Sequence, residues 1–333
     1  MKKTHPFVSI CTPTFNRRPF IPYMIKCFEQ QTYPKDRIEW IIIDDGTDPI
    51  KDLVKNIPQV KYFYYQEKML LGKKRNLMHK KCSGDIIIYM DDDDYYPPER
   101  VSHAVQTLLD NPTYLIAGCS EMYVYFDSKQ KMYRCGPYKE YHSTAATFAF
   151  RKELLKETSY NNENALAEER HFLKNYTIPL KQLDSLKSII VFSHKHNSLN
   201  KEKLLDNLEL TKTVETDLNI DDYFIDPILK QFYTVDMNVS LETYEPGKPE
   251  HKPKLMEQMK LMEDDRNRRM EEHNKMLDLQ QKMMQHHESK DIEAVRQQYE
   301  KQLEEKTFLI NELFKKIKLL TSELDVYKRQ TNK

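Results

Sequence analysis

Glycine is scarce in this chain: six in 333 residues, five of them before residue 137. Tight turns that need a left-handed backbone are therefore concentrated in the first part of the sequence. Net charge is also missing, because 52 basic and 52 acidic side chains cancel. That balance removes the long-range attraction used by bulk nucleic-acid or anionic-membrane binders, so no nucleic-acid partner is expected. Long hydrophobic runs are absent too. Stretches such as Ile86–Met90 and Ile189–Phe192 fall far short of the roughly 18 residues of a membrane span. Lys2 and Lys3 precede an apolar stretch, but Pro6 and Pro13 interrupt it, so no secretory leader is expected. The five cysteines (Cys11, Cys27, Cys82, Cys119 and Cys135) form no C-x-x-C pair. An odd count in a long chain reads as free thiols in a reducing compartment, and a cytoplasmic location is the expectation. The sequons at Asn175 and Asn238 then read as chance.

What is present divides the chain. Hydrophobic residues make up only 39% and charged ones 31%, which is polar for one globular domain and points to a solvated helical segment. The last glycine lies in Glu245-Pro246-Gly247-Lys248-Pro249, with Pro253 soon after. This reads as a linker over 245–254, following a folded domain over 1–244. Beyond Pro253 there is no proline or glycine, and Glu, Lys, Gln, Met and Leu dominate. The tail, 255–333, is expected to be helical. Placing heptad position a at Leu303, Ile310, Ile317 and Leu324 puts Ile292, Tyr299, Leu313, Leu320 and Tyr327 at d, with Arg296 and Lys306 as exceptions. Such a pattern predicts a coiled coil and hence a homo-oligomer; the alternative is a single amphipathic helix folded back on the first domain. Met256–Met284 is less regular. His286 and His287 are adjacent in sequence and do not share a helix face, so they read as solvated residues and not as metal ligands.

The first 200 residues alternate. Phe7–Thr12, Trp40–Ile43 and Ile86–Met90 are short β-branched or aromatic runs, separated by the amphipathic stretches Pro19–Gln31 and Gly72–Lys81. This order predicts an α/β fold, a mostly parallel sheet with helices on its faces. Ligands in such sheets bind beyond the carboxyl ends of the strands.

Those ends are rich in chemistry. They read Pro13-Thr14-Phe15-Asn16-Arg17, Asp44-Asp45-Gly46-Thr47-Asp48 and Asp91-Asp92-Asp93-Asp94-Tyr95, with a helix opening near Gly72-Lys73-Lys74-Arg75-Asn76. Four consecutive aspartates after an apolar strand repel one another unless something neutralises them. A hard divalent cation, Mg²⁺ or Mn²⁺, does so, taking one or two carboxylates with phosphate oxygens filling the remaining positions. The plain alternative is an acidic surface loop.

Taken together, these motifs over roughly residues 5–200 resemble the inverting, metal-dependent nucleotide-sugar glycosyltransferases of family two, which have the GT-A fold, a Rossmann-like sheet sandwiched by helices. The resemblance implies transfer of a sugar, a hexose, from a nucleotide donor, chiefly a uridine diphosphate sugar, to a hydroxyl group of a glycan or other acceptor. It makes Asp91 and Asp93 the metal-binding DxD pair, and Pro13, Thr14, Phe15, Asp44, Asp45, Arg75, Asp91 and Asp92 the nucleotide-binding set. Phe15 can stack on uracil. Asp44 or Asp45 can accept from the base or ribose. Arg75 can pair with diphosphate or base. Singly, each also suits a core, turn or surface residue.

The acceptor side needs a base for the attacking hydroxyl. Ala167-Glu168-Glu169-Arg170-His171-Phe172-Leu173 opens a predicted helix. Where the family reads Glu-Asp, the second acid is the base, which makes Glu169 the candidate and Glu168 its alternative. An acidic first turn favoured by the helix dipole is the plain reading. Ile189–Phe192 leads to Ser193-His194-Lys195-His196-Asn197; His194 resembles a third metal ligand, with His196 second. Cys135–Tyr138 and Ser143–Phe148 offer an acceptor floor or an ordinary strand pair. Two rivals remain. A sugar nucleotidyltransferase would want a glycine-rich basic loop after the first strand, where Pro13-Thr14-Phe15 stands. An inactive domain carried by a coiled-coil scaffold is opposed by the intact acidic motifs. The Lys-, Asn- and Ile-leaning composition and the strings around Glu169 and His194 resemble glycosyltransferases of giant DNA viruses.

Overall fold

The computed structural model describes residues 5–197 and 199–331, without the side chains of 283–291 and 325–331. Lys2, Lys3 and the side chains of His286, His287 and Tyr327 lie outside the described residues. The strands are β1 Val8–Thr14, β2 Ile38–Asp44, β3 Val60–Tyr64, β4 Ile86–Tyr89, β5 Ile116–Gly118, β6 Met122–Phe126, β7 Lys131–Cys135, β8 Ala149–Arg151, β9 Leu180–Gln182, β10 Ile190–Ser193 and β11 Thr213–Glu215. The helices are α1 Ile21–Glu29, α2 Lys51–Val54, α3 Leu71–Lys81, α4 Arg100–Asp110, α5 Glu168–Phe172, α6 Leu208–Thr211, α7 Pro227–Gln231, α8 Met237–Glu242 and α9 Pro253–Thr331.

Isoleucine-rich strands form the centre because β-branched side chains fit a pleated surface covered on both sides. Every residue of β1 and β2 is buried. Alternate side chains point to opposite faces. Ile10, Ile42 and Ile88 join one apolar cluster with α1 and α4, while Cys11, Ile41, Ile43 and Ile87 join another with Met78 of α3. Each such fully buried side chain contributes about 1.5–3 kcal/mol. All five cysteines are buried free thiols.

The main sheet has the order β3-β2-β1-β4-β8-β5-β9. The pairs β1–β2, β1–β4, β2–β3 and β5–β9 are parallel, and β8 runs antiparallel to β4 and β5. The α/β, mostly parallel architecture with a long C-terminal helix is as expected. The chain moves outward from β1 to β3 and then returns to place β4 on the other side of β1. The switch point therefore lies between the carboxyl ends of β1 and β4, where this class of sheet opens a crevice. Thr14 to Arg17 leave one strand there, and Asp91 to Asp93 leave the other.

A second sheet, in the order β10-β6-β7-β11, was not resolved from the sequence. The Ile189–Phe192 run belongs to it and not to the main sheet. Tyr95 pairs with Ile190 through reciprocal backbone hydrogen bonds of 3.1 and 2.9 Å. That bridge ties the end of the acidic loop to β10 and brings His194 to the switch point.

Residues Met1–Leu261 form one compact unit and Met262–Lys333 a second. The 245–254 segment, expected as a linker, packs within the first unit, with Gly247 and Lys252 buried. Helix α9 runs 79 residues, as a sequence free of internal proline and glycine allows. Lys282–Asp278 (2.7 Å) and Arg296–Glu300 (3.0 Å) pair across one turn of it. Its positions Leu303, Ile310, Leu313, Ile317, Leu320 and Leu324 are exposed. No helix among the described residues is long and apolar enough to cross a membrane.

Candidate active site

A cavity of about 490 Å³ opens at the switch point, within the range of small-molecule sites. Pro13, Thr14, Phe15, Arg75, Asp91, Asp92 and Asp93 line it, joined by Arg17, Lys68, Lys74 and Lys252. Asp44, Asp45, Glu168, Glu169 and His194 stand outside its lining.

The β1 end is shaped by Asn16, whose backbone is left-handed at φ 53°. Asparagine tolerates that region better than most residues. Its side-chain oxygen accepts from the Asp48 amide at 3.0 Å, and its nitrogen donates to the Pro246 carbonyl at 2.8 Å. The turn exposes Phe15 to the cavity. Lys68 Nζ stands 4.2 Å from the centre of its ring, a cation–π contact on the platform expected for a base.

Asp44 faces inward. Its carboxylate accepts from the Gly46 amide (2.9 Å), the Ile50 amide (3.0 Å) and the Tyr62 hydroxyl (2.7 Å). Asp45 accepts from the Met69 amide at 2.6 Å and pairs with Lys74. Lys74 also donates to the Thr14 carbonyl at 2.8 Å. Both aspartates thus fix the loops around the cavity with both carboxylate oxygens engaged, and Lys74 ties the β1 and β2 ends together.

The acidic run divides its roles. Asp91 pairs with Arg75 at 3.4 Å. Asp92 and Asp93 face Arg17 at 3.6 and 3.2 Å. Asp94 turns away from the cavity and accepts from the Phe192 amide at 3.3 Å. Burial, reinforced by Asp93, raises the Asp92 carboxyl to about 7. Burial also pushes Asp93 up, but Arg17 and His194 outweigh it and hold this carboxyl well below the usual range. His194 Nε2 lies 3.3 Å from Asp93 Oδ2. Burial lowers the His194 imidazole to about 3, so it is neutral at ordinary pH.

Neutral imidazole and ionised carboxylate are the forms that ligate a divalent cation, and two adjacent ligands of one octahedral ion lie roughly 3 Å apart. Asp93 and His194 fit this description. The buried Oδ1 of Asp91 has no hydrogen-bond partner, although its other oxygen is turned to Arg75. Among the described residues no three His, Cys, Asp or Glu side chains are gathered around one point.

Arg75 is the hinge between the two halves of the site. Its Nε donates to Glu168 Oε1 at 2.9 Å, its Nη2 faces Asp91, and its guanidinium lies 4.4 Å from the centre of the Tyr89 ring. Glu168 is thereby held as an ion-pair partner. Glu169, next on α5, is partly buried. Burial and then the neighbouring Glu168 raise its carboxyl to about 7, while Tyr176 hydrogen-bonds to it. The Cys135–Tyr138 region continues β7, and Ser143 to Thr147 pack beneath Gly118.

Sequence reasoning missed the cations. Arg17, Lys68, Lys74 and Lys252 converge on the cavity, yet lysine and arginine are so frequent that only Arg17 and Lys74, inside their motifs, carried a signal. His196 contributes its backbone oxygen, which accepts from Arg17 at 2.8 Å.

No curated protein matches the chain. Among solved structures it is similar to a mannosyltransferase from Pyrobaculum calidifontis, PcManGT, in complex with GDP-Man and Mn²⁺. Identity is 16% and the TM-score 0.46, over 56% of this chain and 57% of that one. It is also similar to residues 1–349 of S. aureus TarS, at 18% identity and a TM-score of 0.44, over 74% of this chain and 77% of that one. Against a second TarS structure the chain spans only 36% of its length. The sequence match is more direct. The family model described as Glycosyl transferase family 2 covers residues 9–207, more than half of the chain and all of the switch-point residues that face the cavity from β1, α3 and β4; the chain belongs to glycosyl transferase family 2.

Proposed function

We propose that this glycosyltransferase is metal-dependent and inverting, and that it moves a hexose from a uridine diphosphate donor to a hydroxyl of a glycan or similar acceptor. One observation carries the donor site. Arg17 Nη1, Arg75 Nη1 and Asp91 Oδ1 are all buried without a hydrogen-bond partner, and all three residues line the same cavity. Unpaired buried polar groups are costly, so their convergence supports a polar ligand with both donors and acceptors.

In this reading the base lies on Phe15 and the diphosphate lies between Arg17, Arg75 and the Asp91–Asp93 turn. Asp93 and His194 would hold Mn²⁺ or Mg²⁺, and Asp91, whose Oδ1 is unpaired, would be the other member of the DxD pair. The ion, when bound, supplies positive charge to the diphosphate oxygens. Glu169 takes the proton of the acceptor hydroxyl as its oxygen attacks the anomeric carbon. The bond from that carbon to the diphosphate oxygen breaks with inversion, and the electron pair leaves with the nucleoside diphosphate. A carboxyl near 7 suits a base working at neutral pH. The catalytic unit is read as running through the 245–261 segment, with the rest of α9 as a self-associating tail.

Nucleotide release from a panel of sugar nucleotides with Mn²⁺ tests the reading. One uridine-linked donor should turn over, and Asp93→Ala should lower the rate by about 10²–10³-fold, as should chelation. Failure of every sugar nucleotide both to bind and to release nucleotide would overturn it.

A further inference from the structure

The family match ends at residue 207, but the cavity does not. Residues 244–258 form a strap, of which Lys252 to Leu255 line the cavity. Tyr244 donates to Asp48 Oδ2, Asn16 Nδ2 to the Pro246 carbonyl, and Lys68 Nζ to the His251 carbonyl, each at 2.8 Å. Gln258 closes the far end, accepting from the Ala165 amide and donating to the Glu163 carbonyl, both at 2.8 Å. Leu255 packs on Ala165 and Leu166. At Gly247 the strap approaches so closely that a Cβ would stand 2.6 Å from His196 Nδ1 and 2.9 Å from the Asn16 carbonyl. The strap therefore has a fixed course, and that course carries Lys252 into the cavity.

Lys252 is only 8% exposed and lines the cavity. Its ammonium has no hydrogen bond or ion pair among the described residues. The nearest ring is that of Phe15, at 5.9 Å. A buried cation without a partner is expensive to keep, and Arg17 nearby adds repulsion. Asp92 and Asp93 attract it, but both already face Arg17 and neither forms an ion pair with Lys252 among the described residues, so its charge is only partly compensated. A ligand with several negative oxygens would complete the compensation.

We propose that Lys252, delivered by the strap from outside the family-matched region, is a donor-binding residue that contacts the diphosphate of the nucleotide donor. The inference rests on the donor-site reading above and adds a cation that the family match does not cover. It assigns the strap a role in holding the donor where a bare linker would have none.

Calorimetric titration of the full chain with Mn²⁺ tests it, using UDP, GDP, ADP and CDP and the corresponding nucleosides. Lys252→Met should weaken the best diphosphate by about 10- to 100-fold, the range of one charge-assisted hydrogen bond, and leave the nucleoside unchanged. Lys252→Gln, which keeps a polar tip, should lose diphosphate affinity likewise. Lys252→Arg should retain it within about threefold, and Lys260→Met, an exposed lysine of the same unit, should match the wild type. The inference is overturned if the wild type binds a diphosphate and Lys252→Gln binds it equally well, or if diphosphate and nucleoside weaken together. If the wild type binds none of the four diphosphates, the donor-site reading itself fails, and the role of Lys252 falls with it.

Discussion

In the proposed reaction Arg75 and Glu169 divide the labour of the site. Arg75 spends its charge between Asp91 and Glu168, so one guanidinium connects the Asp91 turn to helix α5. Glu169 forms no ion pair among the described residues, and burial and then Glu168 leave its carboxyl near 7 although Tyr176 hydrogen-bonds to it. A base works only when deprotonated, so turnover should fall as pH drops through about 7. Removing the charge of Glu168 removes one of the causes that raise Glu169. Glu168→Gln should therefore move the acid limb of the pH–rate profile to lower pH, whereas Glu169→Gln should abolish that limb and cut turnover by about 10²–10⁴-fold with donor affinity kept. An unchanged profile in Glu169→Gln would remove this residue from the base role.

Elements place these residues through their ends. The β1 and β4 ends were readable because apolar runs stop abruptly at turn and acidic residues. The inward orientation of Asp44 was not, since a loop carboxylate that accepts three hydrogen bonds looks in sequence like one that binds a ligand. Helix α3 is seated by a close backbone approach. The Gly72 amide donates to the Asn164 carbonyl at 3.0 Å, and a Cβ on Gly72 would collide with the Asn161 carbonyl. Gly72→Ala should accordingly destabilise the fold by about 1–3 kcal/mol, read from denaturant unfolding. Because the 161–164 loop precedes α5, it should also weaken the coupling of Arg75 to Glu168. A variant as stable as the wild type would mean that the loop yields at no cost.

For the whole molecule, the tail and the strap pose opposite problems. Among the described residues the apolar a and d positions of α9 are exposed in the single chain; Leu303, for instance, is 67% exposed. A second copy covering this seam is the proposed solution. Ile310→Asp combined with Ile317→Asp should lower the mass measured by light scattering to that of one chain and leave nucleotide binding intact. A wild type that is already monomeric at micromolar concentration would refute self-association. The strap, by contrast, is covered and fastened, although its Pro-Gly-Lys-Pro composition reads as a spacer. Composition reports local backbone preference and says nothing about which distant surface a segment meets.

By itself the sequence determined the alternation of strands and helices, the acidic strand ends and the helical tail, because each is a local pattern of hydrophobic period, turn residues or missing helix breakers. The family resemblance followed from those same local motifs in order. Tertiary structure alone decided which carboxylates face the cavity, that His194 reaches Asp93 through a second sheet, and that Lys252 arrives from beyond residue 207. Those outcomes depend on charges and hydrogen bonds between residues far apart in the chain. Their energies arise only when folding brings the partners within a few ångströms and takes them out of water.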